Sequence, residues 1–362
     1  MRKVLVYYGP KDEFEKELPP RFITLTELVY EYDKNRRNPK DSSFLERNIN
    51  TMVAYSDAYA GVTQGAIQSF TSILGLFDID NMYLQNPPNE IFVRMQELYG
   101  PIMQVKHYKY RAMTMGALRM VNRDFESNII GQPDVKKKLL MHLYPMVSRR
   151  HTKPLIIMFF GPSGVGKTET AKFLARVLRQ ELFRKQMSMF HTQTFVNYLF
   201  GNEHSGNSFA KELLERKSNV ILLDEFDKMP ELLYSAFYQL FDEGVFVDQN
   251  YELKLERALI ICTSNFQSLD EIRRVLGDPI FYRFDAFVKF GELSDASVRT
   301  IIDNELNAQY ARLAPGEKAQ IDLESIREML HTNTSVIKNV RQVSHSVAEI
   351  LSYAIIKNMF GT

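Results

Sequence analysis

The residues of this chain with the clearest chemistry form one short glycine-rich stretch. It reads GPSGVGKT and matches G-x-x-x-x-G-K-[ST], the pattern of a phosphate-binding loop. It follows the apolar run PLIIMFF (154–160) and opens a helix-like pattern, which is the context that such a loop requires. The loop comprises Gly161, Pro162, Ser163, Gly164, Val165, Gly166, Lys167 and Thr168.

Each residue type in this loop has a task in binding a nucleotide. Glycines allow successive backbone N–H groups to turn towards the phosphates, and the start of a helix adds its positive dipole end. Lys167 supplies a cation for the β- and γ-phosphates, and Thr168 offers a hydroxyl to magnesium. The loop therefore predicts ATP and Mg²⁺ as cofactors.

An acidic pair follows a second apolar run, NVILLDEF (219–226). A buried strand that ends in Asp224 would place this carboxylate at the C-terminal edge of a sheet, where open α/β sheets bind their ligands. We expect Asp224 to contribute to the Mg²⁺ shell and Glu225 to polarise the attacking water. The alternative is a surface Asp-Glu pair that merely ends a strand, but the phosphate-binding loop upstream favours the catalytic reading.

The pattern of the chain predicts three parts. In residues 123–292, short apolar runs alternate with helix-like patterns, and RALIICTSN (257–265) is a third such run. This alternation indicates an α/β domain with a parallel sheet that helices cover on both faces. Residues 293–362 predict a small helical lid. Residues 1–122 predict a mostly helical domain with one strand at Val4–Tyr8 and helix-like periodicity over 44–77 and 89–99.

Composition narrows the class of protein. The 362 residues include 45 basic and 44 acidic side chains, so the net charge of +1 gives no global attraction to nucleic acid or to an anionic membrane. No long apolar run predicts a membrane-spanning helix, and the N-terminal residues do not resemble a secretory signal. The single cysteine, Cys262, excludes an internal disulfide framework and is typical of a cytoplasmic protein.

From residue 128 onward the chain resembles an AAA+ ATPase, and in particular the second ATPase module of the Clp unfoldases. The resemblance rests on NIIGQPDVKKKLL, on the phosphate-binding loop, on VILLDEFDK, and on LFDEGVFVDQNYELKLERALIICTSNF. It implies that Ile129 and Ile130 border the adenine. It also implies that Asn265 is a polar sensor which orients the attacking water.

Two arginines are assigned by the same resemblance. DPIFYRFDAFVKF (278–290) is similar to the Clp segment with the arginine finger, which makes Arg283 the candidate finger. NVRQVSHSVAEIL (339–351) is similar to the start of a lid helix, which makes Arg341 the candidate lid sensor of the γ-phosphate. In AAA+ proteins the finger enters a neighbouring subunit's site, so the resemblance implies a homo-oligomeric ring, most simply a hexamer.

Three functions remain open at this stage. The first is a Clp-like remodelling of a protein partner, which residues 1–122 would recruit. The second is an ATP-controlled switch or scaffold with residues 1–122 as effector. The third is an ATPase that acts on nucleic acid or in defence against mobile elements, for which KHYKYR (106–111) is the one supporting stretch.

The loop GNEHSGNS (201–208) bears on this choice. Clp unfoldases grip an extended polypeptide with a Gly-aromatic-x-Gly pore loop at this place, between the phosphate-binding loop and the acidic strand. Here that aromatic core is missing. The nearest aromatic residue, Phe209, is expected to pack at the start of the following helix, so the loop does not predict a threading paddle.

Overall fold

Two structural units make up the chain. The structure, a computed structural model, describes residues 1–37, 48–59, 74–75, 77–147, 152–189, 193–201, 206–332 and 340–360. The first unit combines Met1–Arg111, Met189–Asn219 and Met229–Glu256, and the second combines Ala112–Ser188, Val220–Lys228 and Arg257–Thr362. The first unit is therefore built from three separate segments of the sequence.

A parallel sheet forms the centre of the second unit. Its strands are β6 (Leu155–Phe160), β7 (Phe183–Gln186), β8 (Val220–Asp224), β11 (Leu259–Thr263) and β12 (Ala286–Lys289). They are arranged in the order β12-β6-β11-β8-β7, with every pair parallel. All residues of the three central strands are buried, which explains their continuous apolar sequences. The predicted parallel α/β architecture of this part is confirmed.

Helices cover this sheet and position its loops. They are α4 (Met115–Asn128), α5 (Pro133–Val147), α6 (Lys167–Val177), α10 (Leu269–Leu276) and α11 (Asp278–Phe281). The Thr114 side chain caps the first of them by accepting a hydrogen bond from Ala117 N. Buried residues of α4, α5 and α6 share one apolar cluster with the central strands, including Phe125, Leu139 and Leu174.

The C-terminal part of the second unit is helical, as its sequence predicts. The helices are α12 (Asp295–Arg312), α13 (Pro315–Lys318), α14 (Leu323–Thr332) and α15 (Val340–Phe360). Their apolar faces form a small core of their own around Ile302, Leu330 and Val347. This separate core is what allows the lid to be a distinct subdomain.

Strands, and not helices alone, build the N-terminal part of the first unit. The strands are β1 (Lys3–Tyr8), β2 (Ile23–Thr24), β3 (Asn48–Ala54), β4 (Asp78–Gln85) and β5 (Met103–His107). They form a parallel sheet in the order β2-β3-β4-β1-β5. The helices in this part are α1 (Lys11–Glu15), α2 (Leu25–Arg37) and α3 (Asn89–Tyr99).

The prediction of a mostly helical N-terminal domain is therefore wrong. The strand at 4–8 and the helix at 89–99 are present, but β3 occupies residues 48–54 of the predicted helical stretch. Its sequence NINTMVA has β-branched residues at alternate positions, Ile49, Thr51 and Val53, as a strand requires, whereas β4, DIDNMYLQ, is poor in β-branched and aromatic residues. The alternation in β3 is too short to stand out beside the helix-like pattern around it, and β4 is stabilised by strands on both of its sides. Residues 60–73 and 76 of the stretch lie outside the described part.

The remaining elements of the first unit come from the two later segments. They are α7 (Gln193–Phe200), α8 (Phe209–Glu215), α9 (Tyr238–Glu243) and the hairpin strands β9 (Val245–Val247) and β10 (Glu252–Lys254). Gly244 ends α9 with a left-handed φ of 78° before the hairpin begins. The stretch LFDEGVFVDQNYELKLERALIICTSNF, which carries the Clp resemblance, thus forms a helix end, a glycine turn, a hairpin and the strand β11.

Candidate nucleotide-binding site

The phosphate-binding loop connects β6 to α6. Gly161, Gly164 and Gly166 have φ angles of 131°, 76° and 103°, in the region that favours glycine. A Cβ at Gly161 would lie 2.2 Å from the carbonyl oxygen of Phe290, the residue that follows β12. Glycine is thus required at the first loop position for a close backbone approach as well as for its φ angle.

Lys167 begins α6 and turns back over the loop. Its side chain is largely buried, with the residue 8% exposed. Nζ donates to the carbonyl oxygens of Gly161 at 2.6 Å and Pro162 at 2.7 Å, and to Asn265 Oδ1 at 3.1 Å. The ammonium group is therefore held at the mouth of the loop, where the phosphates of a nucleotide would bind.

The other loop residues divide between core and surface. Val165 is buried in the apolar cluster of the sheet, whereas Ser163 is exposed and Thr168 is half-buried on the first turn of α6. Ile129 is also buried, and its Cγ2 lies 3.7 Å from a Cβ built at Gly166. Ile130, the second residue expected at the adenine, is half-buried.

Gln132 fixes the loop from behind. Its Nε2 donates to the carbonyl oxygens of Val165 at 3.3 Å and Gly291 at 2.9 Å, while its Oε1 accepts from Gly291 N at 3.2 Å. Both functional groups of this buried amide are thus used to join the loop to the end of β12. Its position in the sequence, after the glycine of IIGQ, is the signal that could have identified it.

Asp224 ends β8 at the same edge of the sheet. It is 6% exposed, and its Oδ1 accepts a hydrogen bond of 2.5 Å from the hydroxyl of Thr263 on β11. Its Oδ2 accepts two hydrogen bonds from Arg184 on β7, from Nε at 3.0 Å and from Nη2 at 2.5 Å. The strands on both sides of β8 therefore hold this carboxylate.

Glu225 has a backbone conformation that is rare for its residue type. Its φ is 56°, in the left-handed region, and its N–H donates to Thr263 Oγ1 at 2.9 Å. Its carboxylate Oε2 accepts a hydrogen bond of 3.2 Å from Gln186 Nε2. Non-glycine residues in this region are enriched at functional sites, so the conformation agrees with a chemical task for Glu225.

The structure brings Asn265 to the site and leaves Arg283 away from it. Asn265 follows β11, the strand between β6 and β8, and contacts Lys167 as given above. Arg283 precedes β12, near the start of the parallel strand β6, because Asp285 N donates to Ile156 O and Asp285 Oδ2 accepts from Ile156 N. The length of β6, roughly 17 Å at 3.3 Å per residue, separates Arg283 from the loop of its own chain.

The second candidate arginine, Arg341, lies in the first turn of α15, and its side chain is outside the described part of the chain. The preceding residue, Val340, donates its backbone N–H to Gly164 O at 3.4 Å. The lid helix therefore begins next to the phosphate-binding loop.

The loop at 201–208 is held at both of its ends, and residues 202–205 are outside the described part. The N–H of Gln249 donates to Phe200 O at 2.9 Å, and the Ser208 side chain caps α8 by accepting from Lys211 N. Phe209 is 1% exposed and its ring contacts those of Phe237 and Phe246. Packing of Phe209 at the start of the helix is confirmed.

The stretch KHYKYR is also engaged within the first unit. Lys106 forms an ion pair of 2.7 Å with Glu17, and His107 stacks on Tyr8 with ring centroids 5.1 Å apart. Burial lowers the pKa of His107. The Tyr110 ring lies 3.8 Å from the guanidinium carbon of Arg216. These contacts occupy aromatic faces on which nucleic-acid bases would have to stack.

These residues fit a nucleotide with Mg²⁺. The glycine loop offers backbone donors, Lys167 a cation, Thr168 and Asp224 oxygen ligands of the kind that Mg²⁺ prefers. Sequence reasoning missed the polar residues that position the acidic pair, namely Arg184, Gln186 and Thr263. For Arg184 and Gln186 a faint signal exists, since they alternate along FRKQ as a strand would place them on one face.

Fold and loop together define an AAA+ module, a P-loop nucleotide-binding domain followed by a helical lid. A protein-family model described as AAA domain (Cdc48 subfamily) matches residues 153–311. Within that class, the relatives that share sequence with the module are Clp proteins. Curated relatives include the chaperone protein ClpB of Chlamydia caviae, 34% identical over 127 residues, and ClpB of Rhodopirellula baltica, 27% identical over 239 residues.

The extent of these similarities is limited. The two matches cover 32% and 56% of this chain but 15% and 27% of the relatives, so the chain spans a small part of their length. The chain is also similar in fold to Hsp104 in a cryo-EM structure titled as a closed state with ATPγS and FITC casein. That similarity has a TM-score of 0.58 and 14% identity, and it covers 99% of this chain and 88% of the other. In the described part of the chain, no helix is long and apolar enough to cross a membrane.

Proposed function

We propose that the second unit binds ATP with Mg²⁺ and hydrolyses it to ADP and phosphate. The observation that carries this proposal is the convergence of four side chains at one edge of the sheet. Lys167 donates a hydrogen bond to Asn265. Thr263, two residues before Asn265 in the sequence, donates its hydroxyl to Asp224 and accepts a hydrogen bond from the backbone N–H of Glu225. A candidate phosphate-binding cation, a candidate metal-binding carboxylate and a candidate base are thus each hydrogen-bonded to a residue at the C-terminal end of β11, the first to Asn265 and the other two to Thr263.

Each side chain has a distinct part in the proposed reaction. The loop N–H groups and Lys167 would bind the phosphates, while Thr168 and Asp224 would hold Mg²⁺, which neutralises charge on the transferred phosphoryl group. Glu225 would accept a hydrogen bond from the attacking water and so orient its lone pair. Asn265 would hold the same water from the side of Lys167. Positioning and charge neutralisation are what this reaction needs, because the protein forms no covalent bond to the phosphoryl group.

The proposed enzyme works as a ring, for which a hexamer is the simplest form. Arg283 lies at the edge of the sheet opposite to the phosphate-binding loop of its own chain, which supports a role at a neighbouring subunit's nucleotide. Arg341 is proposed to contact the γ-phosphate from the lid, and the contact of Val340 N with Gly164 O supports this assignment.

We infer that the ring remodels a protein partner in the cytoplasm and recruits it through residues 1–122. The similarity of the module to proteins named chaperones, and to an Hsp104 structure whose title names casein, supports a protein as partner. The single thiol, Cys262, is fully buried in β11, which agrees with a reducing compartment. The loop at 201–208 lacks an aromatic paddle, so the partner would be moved by another surface.

A switch in which the N-terminal domain is the moving effector is the second candidate. It is favoured by contacts that join this domain to α8, the helix after the loop at 201–208, and to the residues just after α8. Lys211 on α8, 3% exposed at its side chain, pairs with Asp57 at 2.9 Å, and Lys217, two residues after α8 ends, pairs with Asp12 at 2.9 Å. A segment whose lysines are held in this way would carry the N-terminal sheet with it when it moves.

The trapped ATP state tests both candidates. Glu225→Gln should bind ATP without hydrolysing it and should stabilise the ring, and cryo-EM of rings isolated from the native host shows what they contain. A polypeptide in the central channel supports remodelling, whereas an empty channel with the N-terminal domains moved between the ATP and ADP states supports the switch. Wild-type hydrolysis in Glu225→Gln would contradict the proposed enzyme itself. Glu231→Gln, an exposed glutamate a few residues later, is the control.

A further inference from the structure

Arg184 contacts the acidic pair from the neighbouring strand. It lies on the edge strand β7, where residue 184 is paired with Leu222 and residue 186 with Asp224. Its Nε and Nη2 both donate to Asp224 Oδ2. The side chain of Arg184 is 41% exposed, whereas that of Asp224 is 8% exposed. A solvent-accessible cation therefore caps a buried carboxylate.

The acceptor sites of Asp224 are nearly all in use. A carboxylate has about four lone-pair sites for hydrogen bonds, two on each oxygen. The two donors of Arg184 fill those of Oδ2, and the Thr263 hydroxyl takes one on Oδ1. A metal-bound water that donates to Asp224 would find one site on Oδ1 unless Arg184 releases Oδ2.

The charges of Arg184 and Mg²⁺ also disfavour binding of both to Asp224 at the same time. A guanidinium carries one positive charge and Mg²⁺ carries two, and both would be placed against one carboxylate. Like charges a few ångströms apart repel each other at the effective dielectric constant of a protein surface. The exposure of Arg184 leaves it room to swing into solvent, which the buried Thr263 cannot do.

We propose that Arg184 is a positioning residue that competes with hydrated Mg²⁺ for Oδ2 of Asp224. This inference rests on the proposed nucleotide site and adds a condition to it. Binding of the Mg²⁺-nucleotide must break the Arg184–Asp224 pair, so the affinity for the metal is set lower than the ligands alone would give. The guanidinium of Arg184 is therefore paired with Asp224 when the site is empty and lies in solvent at the surface of the edge strand β7 when Mg²⁺-nucleotide is bound.

A Mg²⁺ titration at constant fluorescent ATP analogue tests the proposal. Arg184→Gln should lower the Mg²⁺ concentration at half-saturation by about tenfold, because the lost interaction is a charge-assisted hydrogen-bonded pair. Arg184→Lys keeps the charge but loses the bidentate geometry. Its Mg²⁺ concentration at half-saturation should lie between those of the wild type and Arg184→Gln. Binding of the analogue in EDTA should be the same in all three proteins. Arg274→Gln removes an exposed charge from α10 and serves as the control.

The outcomes are distinguishable. The proposed competition is refuted if the Mg²⁺ concentration at half-saturation of Arg184→Gln is within twofold of the wild-type value or higher than that. Weaker binding of the analogue in EDTA overturns it as well, since Arg184 would then contact the phosphates. Failure of the wild type to bind the analogue at any Mg²⁺ concentration would instead refute the proposed function. Thermal unfolding of each variant verifies that it is folded, and Arg184→Lys carries the test if Arg184→Gln is not.

Discussion

The hydroxyl of Thr263 donates to Asp224 Oδ1 at 2.5 Å. The oxygen of that hydroxyl, Thr263 Oγ1, also accepts a hydrogen bond from the backbone N–H of Glu225 at 2.9 Å. One buried side chain on β11 therefore sets both the rotamer of Asp224 and the turn that carries Glu225. The register of the sheet makes this possible, since Cys262 is paired with Leu223 and the next residue of each strand is brought alongside.

Replacement of Thr263 by valine keeps the shape and removes the hydroxyl. We expect kcat for ATP hydrolysis to fall by about tenfold or more, because misplacement of catalytic groups is costly even over short distances. The free energy of unfolding should fall by about 1–3 kcal/mol, since Asp224 Oδ1 and Glu225 N lose their partner. Steady-state hydrolysis and urea unfolding measure the two effects. Thr300→Val, on the exposed face of α12, should change neither.

Gly161→Ala tests the close approach of the loop to β12. The added Cβ would meet Phe290 O at 2.2 Å, and the φ of 131° is strained for alanine. Nucleotide affinity should fall by more than about tenfold, together with a stability loss of about 2 kcal/mol or more. Gly316→Ala is the matched control, because a Cβ there has no atom within 4 Å in the described structure. Unchanged binding by Gly161→Ala would contradict the loop geometry.

Mixed rings test the position of Arg283. Alone, Arg283→Ala should lose hydrolysis by a factor on the order of 10³–10⁵ if Arg283 is the finger. Lys167→Ala should be inactive for want of nucleotide binding. An equimolar mixture of the two should recover up to about one quarter of wild-type activity, because randomly assembled cyclic interfaces then pair an intact loop with an intact finger in that proportion.

The control for the mixture is a chain with both substitutions. When mixed with Arg283→Ala it supplies no finger, so it should restore nothing. Recovery in the first mixture but not in the second would locate the finger in the neighbouring subunit. Absence of recovery in both would show that Arg283 acts within its own chain or in assembly.

The conformation of the phosphate-binding loop could be predicted from the sequence because it depends on the backbone angles of particular residues. Gly161, Gly164 and Gly166 are needed for their φ angles, and the apolar runs of β6, β8 and β11 are buried on both faces. Local sequence and tertiary environment agree at these places, so a pattern search is sufficient. The position of the acidic pair follows from the end of such a strand, whereas Asn265 was singled out by the resemblance to Clp proteins.

Two kinds of feature could not be predicted from the sequence: edge strands without an apolar run, and polar residues that are buried. The edge strand β7 reads FRKQ, which carries no apolar run, so neither the strand nor Arg184 was predicted. In the N-terminal sheet Gln85 is 1% exposed, and its amide donates to Gly9 O at 3.1 Å. A buried glutamine with a partner far along the chain resembles a surface helix residue until the partner is known.

Asp248 in the β9–β10 turn gives the fold a dependence on pH. Burial raises the pKa of this carboxyl above its usual value, although hydrogen bonds from Ser208 and from the N–H groups of Asn250 and Tyr251 oppose the shift. The folded protein therefore holds the proton more tightly than the unfolded chain. Its contribution to stability is present below the unfolded pKa and is lost as the pH rises through the folded pKa.

Asp248→Asn should remove that dependence, since an amide oxygen still accepts the two backbone hydrogen bonds. Relative to the wild type, the stability of this variant should rise between pH 4 and pH 7 in urea unfolding. Asp12→Asn should show the opposite trend, and it should show it below about pH 4, the ordinary pKa of an aspartate. The pKa of Asp12 is lowered by Lys217, so its contribution is present above the unfolded pKa and is lost on acidification. Parallel trends in the two variants would contradict this interpretation.

Arg216 is buried, with its hydrogen bonds going to Leu213 O and Asn219 Oδ1 and its planar group against Tyr110. These partners are neutral, and burial lowers the pKa of the guanidinium. The electron-rich face of the tyrosine is therefore an important part of what makes the charge tolerable. Over evolutionary time the two positions are not independent: a lineage that loses the ring at 110 is under pressure to lose the charge at 216, so descendants should keep the pair or replace it together.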